Sequence, residues 1–255
     1  EWTLMDTPAG APLQSWAYGF GGSDVWSVGV DGSILRYDGS TWTTLDSGTD
    51  QDLWGVWGSA PNDVYIVGGT VANGEVTILH WDGTQLNEEE LPDEENPQGI
   101  NALFKVFGIG SKVFVVGQRG MIAERVDGAW VKQGAGAAAD DDFVSLWGTS
   151  EDHIVAVGGR IGARIAVYDG STWTTHAPEG KSGLNAVYFD RNDEAIIGGI
   201  LGGVGVFNEE TNDVDQEDSP ASLDVHAIWC DLEGICYAVG GTFFEPHIGL
   251  LMERK

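Results

Sequence analysis

Basic residues are scarce in this chain. Twelve lysines and arginines stand against 40 aspartates and glutamates, a formal net charge of −28 over 255 residues. Nucleic-acid binding needs basic side chains to displace counterions from phosphates, and no basic stripe exists to do so. Docking on anionic lipid is disfavoured on the same ground. Long apolar runs are missing as well. No stretch approaches the roughly 20 apolar residues of a membrane helix, so no membrane insertion is expected. The chain starts at Glu1 with no signal peptide, which reads as a mature or trimmed chain. Cysteine is nearly absent. Cys230 and Cys236 flank the turn Asp231-Leu232-Glu233-Gly234 between two strand-like runs. A cross-hairpin disulfide fits this spacing. So does a pair of small buried hydrophobes, because Cys236 falls where other repeats carry valine.

What the chain has in excess is glycine and tryptophan, 38 and 11 residues. Such a composition, with few helix-forming runs, points to many short strands and tight turns. An internal repeat organises them. An apolar run ending in Val-Gly or a relative recurs at Gly29, Gly68, Gly117, Gly158, Gly198 and Gly240. A period near forty residues holding about four short strands is the signature of a propeller blade. Ahead of each glycine an aromatic closes a short inner strand: Tyr18, Trp57, Phe107, Trp147, Tyr188 and Trp229. A polar turn follows, then a second strand apolar on both sides, such as Val64-Tyr65-Ile66-Val67, as expected where blades pack face to face. The third strand runs into Asp-Gly at Asp38, Asp82, Asp127 and Asp169, a strong hairpin signal. Repeat five has Asn208-Glu209-Glu210 instead.

The expected fold is all-β: one six-bladed β-propeller of four-stranded antiparallel blades over residues 1–255. The blades are expected at about 13–48, 49–97, 98–137, 138–181, 182–222 and 223–255, the last completed by residues 1–8. Glu1-Trp2-Thr3-Leu4-Met5-Asp6 reads like Thr41-Trp42-Thr43-Thr44-Leu45-Asp46, the fourth strand of the first repeat. Pairing the N-terminal strand there would remove two exposed sheet edges.

The string from Leu53 to Gly69, Leu-Trp-Gly-Val-Trp-Gly-Ser-Ala-Pro-Asn-Asp-Val-Tyr-Ile-Val-Gly-Gly, resembles a group of bacterial repeats. They are poorly characterised secreted or surface propellers common in myxobacteria and their relatives. Asp38-Gly39-Ser40-Thr41-Trp42 and Asp169-Gly170-Ser171-Thr172-Trp173 fit the same grammar. The resemblance covers essentially the whole chain and implies a propeller and an extracytoplasmic location. It brings no catalytic residues. The Asp-box of sialidase-like propellers does not match, since aspartate here is followed directly by glycine. The Trp-Asp dipeptide occurs only at Trp81-Asp82, in the wrong context for a WD repeat.

Candidate ligand residues fall in the loops between second and third strands and near the inner strands, where propellers generally bind at a channel mouth. The loops hold Arg119, Arg160, Arg164, Phe243, Phe244 and His247. The arginines suit a carboxylate or sulfate, or they pair with the acidic loops beside them. Trp16 and Trp54 break the repeat pattern and would serve as stacking platforms for a sugar. His226 aligns three positions before the strand-one aromatic, close to the channel. The run Asp140-Asp141-Asp142 offers several oxygen ligands for calcium, or is a solvated charge run. The five histidines, His80, His153, His176, His226 and His247, show no zinc-like spacing. No helix follows the glycine-rich loops, so a phosphate loop is rejected.

These features predict a non-enzymatic extracytoplasmic module, a monomer that binds a protein or glycan ligand, with calcium the one candidate cofactor. Two alternatives accompany it. One is a calcium-dependent carbohydrate-binding protein. The other is a hydrolase or lyase that uses His226 with nearby carboxylates.

Overall fold

The computed structural model describes residues 5–136, 140–242 and 245–254. Five four-stranded antiparallel sheets and one three-stranded sheet form among these residues, each a meander in chain order. The first holds β1 (Gln14–Gly21), β2 (Asp24–Gly29), β3 (Ile34–Tyr37) and β4 (Trp42–Leu45). The second holds β5 (Leu53–Ala60), β6 (Asp63–Gly68), β7 (Thr77–Trp81) and β8 (Leu86–Glu88). The third holds β9 (Leu103–Ile109), β10 (Lys112–Gly117), β11 (Ile122–Val126) and β12 (Ala129–Lys132). The fourth holds β13 (Phe143–Ser150), β14 (His153–Gly158), β15 (Arg164–Tyr168) and β16 (Trp173–His176). The fifth holds β17 (Leu184–Phe189), β18 (Ala195–Gly199), β19 (Val204–Asn208) and β20 (Asp213–Glu217). The sixth holds β21 (Val225–Cys230), β22 (Cys236–Gly241) and β23 (Gly249–Arg254). The chain is a six-bladed β-propeller of antiparallel blades. The expected closing strand begins on residues 1–4, which lie outside the described residues.

By its contacts the chain divides into two compact units. One runs through Gly108 and adds Lys112–Val115 and Ala123–Lys132; the other holds Ile109–Ser111, Val116–Ile122 and the chain from Gln133. In the first unit, Trp26, Val28 and Ile34 of sheet one pack on Leu53, Val56, Val64, Ile66 and Leu79 of sheet two. In the second unit, sheet five is covered on both faces. Val187 and Ile197 face Val155, Val157 and Ile165 of sheet four. Their neighbours Ala186 and Ile196 face Val225, Ile228, Cys230, Cys236 and Ala238 of sheet six. Adjacent residues of a strand point to opposite faces, so a strand covered on both sides is apolar throughout.

Two details differ from the sequence expectation. The inner-strand aromatic does not close its strand: β1, β5 and β13 run three residues past Tyr18, Trp57 and Trp147. A bulge after Gly19, Gly58 and Gly148 keeps the pairing going, which leaves two-residue turns such as Pro61-Asn62. In sheet five the repeat glycine is Gly199, not Gly198. Its N–H donates to the Gly203 carbonyl as that of Gly29 does to Ser33. A Cβ on Gly199 would collide with the Gly183 carbonyl oxygen, and one on Gly29 with that of Leu13.

The Asp-Gly turns are built by their side chains. Asp38 Oδ1 accepts from the backbone N–H groups of Ser40 and Thr41, both at 2.8 Å. Asp82 accepts from Thr84 and Gln85, and Asp169 from Ser171 and Thr172. Asn208 takes the same part in sheet five, accepting from Glu210 and Thr211. The glycines that follow have φ of 96°, 94° and 92° at Gly39, Gly83 and Gly170, a region closed to most side chains. In sheet six, Cys230 and Cys236 face each other across β21 and β22, and their sulfurs are bonded.

The turn hydrogen bonds hold the Asp38 and Asp82 carboxyls well below the ordinary range, and that of Asp169 at about 2. A carboxyl lowered by folding stabilises the protein above its unfolded pKa of about 4, and the contribution is lost as pH falls through the folded value. Replacing all three by asparagine is expected to flatten the fall of the urea midpoint between about pH 4 and pH 2. Parallel curves for the two proteins would show that these turns do not set acid stability.

Candidate functional site

Two kinds of loop alternate along the chain between second and third strands. Sheets one, three and five use tight turns: Val30-Asp31-Gly32-Ser33, Gln118-Arg119-Gly120-Met121 and Ile200-Leu201-Gly202-Gly203. Their second residues are left-handed, with φ of 54° at Asp31, 52° at Arg119 and 59° at Leu201. This conformation turns the second residue's N–H outward. In each case it donates to an aspartate just ahead of the next inner strand. Asp31 reaches Asp52 at 3.3 Å, Arg119 reaches Asp142 at 3.0 Å and Leu201 reaches Asp224 at 2.8 Å. In sheets two, four and six longer segments follow the second strand: residues 69–76 after β6, 159–163 after β14, and the stretch between Gly241 and Gly249 after β22. Long loops on a rigid scaffold are where binding chemistry concentrates.

The arginines and aspartates singled out in the sequence meet in the second unit, and they engage one another. Arg160 Nε donates to Asp142 at 2.6 Å, and its backbone N–H donates to Asp141 at 2.8 Å. Arg164 donates to Asp140 at 3.1 Å and to the Ala163 carbonyl at 3.1 Å. Asp142 also accepts the Arg119 N–H noted above. The two guanidiniums thus offset two of the three carboxylates. Among the described residues, no three histidine, cysteine, aspartate or glutamate side chains converge as a metal ion requires. Asp140, Asp141 and Asp142 thus make loop contacts and do not form an assembled calcium site.

His226 and His247 come together in sheet six. They line a cavity of about 240 Å³ with Gly240, Gly241, Thr242 and Ile248. His226 Nε2 lies 3.1 Å from the Gly241 carbonyl, and His247 Nε2 lies 3.2 Å from a Glu245 carboxylate oxygen. Phe243 and Phe244 of the same loop lie outside the described residues. Trp54 is half-buried, with its indole N–H donating to the Gly69 carbonyl at 2.9 Å. Trp16 is half-buried too, and the ammonium of Lys105 sits over its ring.

Lys105 is the residue that sequence reasoning missed. It lies on β9, only 4% exposed, beside Gly55, whose lack of a side chain lets the β9 backbone approach. Desolvation holds its ammonium well below the usual lysine value, and no neighbouring charge offsets that penalty. A signal existed in the sequence. The position two before the inner-strand aromatic reads Trp16, Gly55, Lys105, Ser145, Ala186 and Ala227, so one charge stands among small or apolar residues.

A second, half-buried polar group was also missed. His80 stacks on Tyr65 at 4.2 Å and lies between Asp63, at 2.7 Å, and Glu89, at 3.3 Å. Glu89 also takes a two-pronged contact from Arg125 and the Trp130 indole N–H. Burial and the Asp63 charge push the Tyr65 hydroxyl up to about 12, so it stays protonated at neutral pH. Both His80 nitrogens face carboxylates. The group ties strands together rather than presenting a free base.

Comparison with known proteins places this geometry in context. No described protein family matches the sequence. A curated protein from Pseudomonas aeruginosa, the immune protein Tsi7, is 33% identical over 91 residues, which is 32% of this chain and 29% of that protein. The chain thus matches less than a third of that relative's length. The fold resembles solved propellers more extensively. YCF48 bound to D1 peptide aligns with a TM-score of 0.68 at 18% identity, over 93% of this chain and 77% of that one. YCF48 from Cyanidioschyzon merolae gives 0.67 at 17% identity, over 91% and 82%. The C-terminal WD40 domain of Sif2 gives 0.62 at 10% identity, over 95% and 81%. At such identities the likeness is one of fold.

Because burial penalises the charged form of Lys105, its cost to stability is full below its lowered pKa. That cost shrinks as pH rises toward 10.5, the ordinary lysine value. Lys105→Met keeps the volume and removes the charge. It is expected to stabilise the protein by about 1–2 kcal/mol at neutral pH. The gain over wild type should fade as denaturation is repeated at increasingly alkaline pH. Destabilisation at neutral pH would mean that the contact with Trp16 outweighs desolvation.

Proposed function

We propose that this chain is a non-enzymatic module that binds a protein or peptide partner outside the cytoplasm. The likeness over 93% of the chain to a propeller solved with a peptide bound carries this reading. The similarity of the fold to WD40 domains supports it as well. So does the stretch shared with a protein named for immunity. The polar groups that invite a catalytic reading have neighbours that occupy them. His80 faces two carboxylates, and the loop arginines are spent on Asp140 and Asp142. The bonded Cys230–Cys236 pair supports an oxidising compartment, because thiols are kept reduced in the cytosol.

The test is capture on the immobilised full chain, followed by reconstitution with the purified partner. A saturable complex with micromolar affinity or tighter is expected, a typical range for specific association. A chain that binds no protein or peptide, yet turns over a small-molecule substrate in a manner abolished by His226→Ala, would overturn the reading.

A further inference from the structure

One cavity of the first unit is not among the sites expected from sequence. It is a groove of about 820 Å³ bounded by the loop after β4, the start of β7, and β8. Leu79, Leu86 and Val76 supply an apolar part. Asp46, Asp50, Glu75 and Glu88 line it as well, and all four are exposed. Their hydrogen bonds are with neutral groups: Asp46 accepts from the Gly48 N–H, and Asp50 accepts from the Gln51 amide. The ion pairs of the first unit lie elsewhere, at Asp24, Asp63, Glu89 and Glu124.

A second observation points to a ligand. Thr77 is 4% exposed and lines the groove. Thr77 and Leu79 share one face of β7 and both line the groove, whereas Ile78 points the other way. The Thr77 backbone pairs with Gly68 on β6, and among the described residues its hydroxyl has no hydrogen-bond partner. A hydroxyl so placed is costly to desolvate unless something bonds to it.

The corresponding groove of the second unit is different. It lies between the loop after β16 and strands β19 and β20, measures about 250 Å³, and is lined by Lys181, Ser182 and Gln216 with no carboxylate. The acidic lining is therefore not a property of the blade repeat.

We infer that the groove of Asp46, Asp50, Glu75 and Glu88 docks a basic segment of the partner, in which lysines or arginines flank an apolar side chain. The carboxylates would take the cationic heads, Leu79 and Leu86 the apolar side chain, and the Thr77 hydroxyl a backbone polar group. A chain of net charge −28 would also draw such a segment from a distance, with a rate that falls as salt rises. This inference rests on the protein-binding reading and narrows it to one surface and one partner chemistry.

The probe is a fluorescent twelve-residue peptide of alternating lysine and leucine, titrated against the full chain at low and physiological salt. A variant with Asp46→Asn, Asp50→Asn, Glu75→Gln and Glu88→Gln is expected to bind it at least tenfold more weakly. A control with four distant carboxylates neutralised, Glu179→Gln, Glu210→Gln, Glu233→Gln and Glu253→Gln, should stay within twofold of wild type. Carbodiimide coupling on the wild-type protein gives an independent map, since an activated carboxylate joins a peptide lysine as an amide. Mass spectrometry should find those amides at Asp46, Asp50, Glu75 or Glu88. Equal weakening in both variants, or amides found only elsewhere, would overturn the groove assignment. If a natural partner bound equally well to the groove variant, the groove would be lost but the protein-binding function would stand.

Discussion

A sheet with two apolar faces has to be covered twice. That requirement governs most of what this chain does with its residues. Sheet five shows it directly, with Ala186 and Ile196 turned to one neighbouring sheet and Val187 and Ile197 to the other. A polar group between sheets packed at about 10 Å is costly unless it arrives with its own partner. Charge is therefore pushed to strand ends and loops, where it can be paired. Asp24 with Arg36, Asp63 with His80 and Lys112 with Glu124 are the same diagonal pair at the start of the second strand in three successive blades. In the third the signs are exchanged, so the fold asks for opposite charges there and not for a particular one.

The loops add a second level of order, with a period of two blades. Asp52, Asp142 and Asp224 each accept the N–H of a left-handed residue in the preceding tight turn. An exposed N–H at a turn tip needs an acceptor, and a carboxylate one strand away supplies it without altering the turn. The alternate loops, opened by Gly69, Gly159 and Gly241 at positive φ, are longer and meet the next blade differently, the Ala163 N–H donating to the Lys181 carbonyl and the Asn101 side-chain amide to that of Val71. The same economy explains how a residue in Asp140-Asp141-Asp142 can look like a metal ligand while serving as a backbone acceptor.

The blade count and the strand order were legible in the sequence because hard contacts force them. The repeated glycine stands where any Cβ would strike a carbonyl oxygen ahead of the inner strand, that of Asp52 for Gly68 and of Asp224 for Gly240. A steric rule of that kind leaves the same letter in each repeat. Asp-Gly turns are legible for the same reason, and Asn208 shows how a substitute keeps the hydrogen bonds while losing the motif. The candidate site was much less legible. Whether Arg160 is open to a ligand depends on Asp142, and whether Lys105 is buried depends on Trp16, 89 positions away. Composition and spacing record which groups exist, but not which have already found each other.

The uneven use of charge has one further consequence. The chain has 12 basic residues, and those in ion pairs tie strands and loops of a single unit together: Arg36 to Asp24, Arg125 to Glu89, Arg164 to Asp140 and Arg254 to Glu217. Lys105 is withdrawn from solvent altogether. With 40 carboxylates to balance, most of the negative charge has no cation of its own. Like charges spread over a surface cost little individually in water, but the field they produce adds up and is strongest in concave places with low-dielectric walls. A groove combining four such carboxylates with leucine side chains is the kind of place where that field would be felt. The acidity then has a physical outlet beyond solubility: it favours encounter with cationic partners and repels acidic ones, and the apolar floor decides which encounters last.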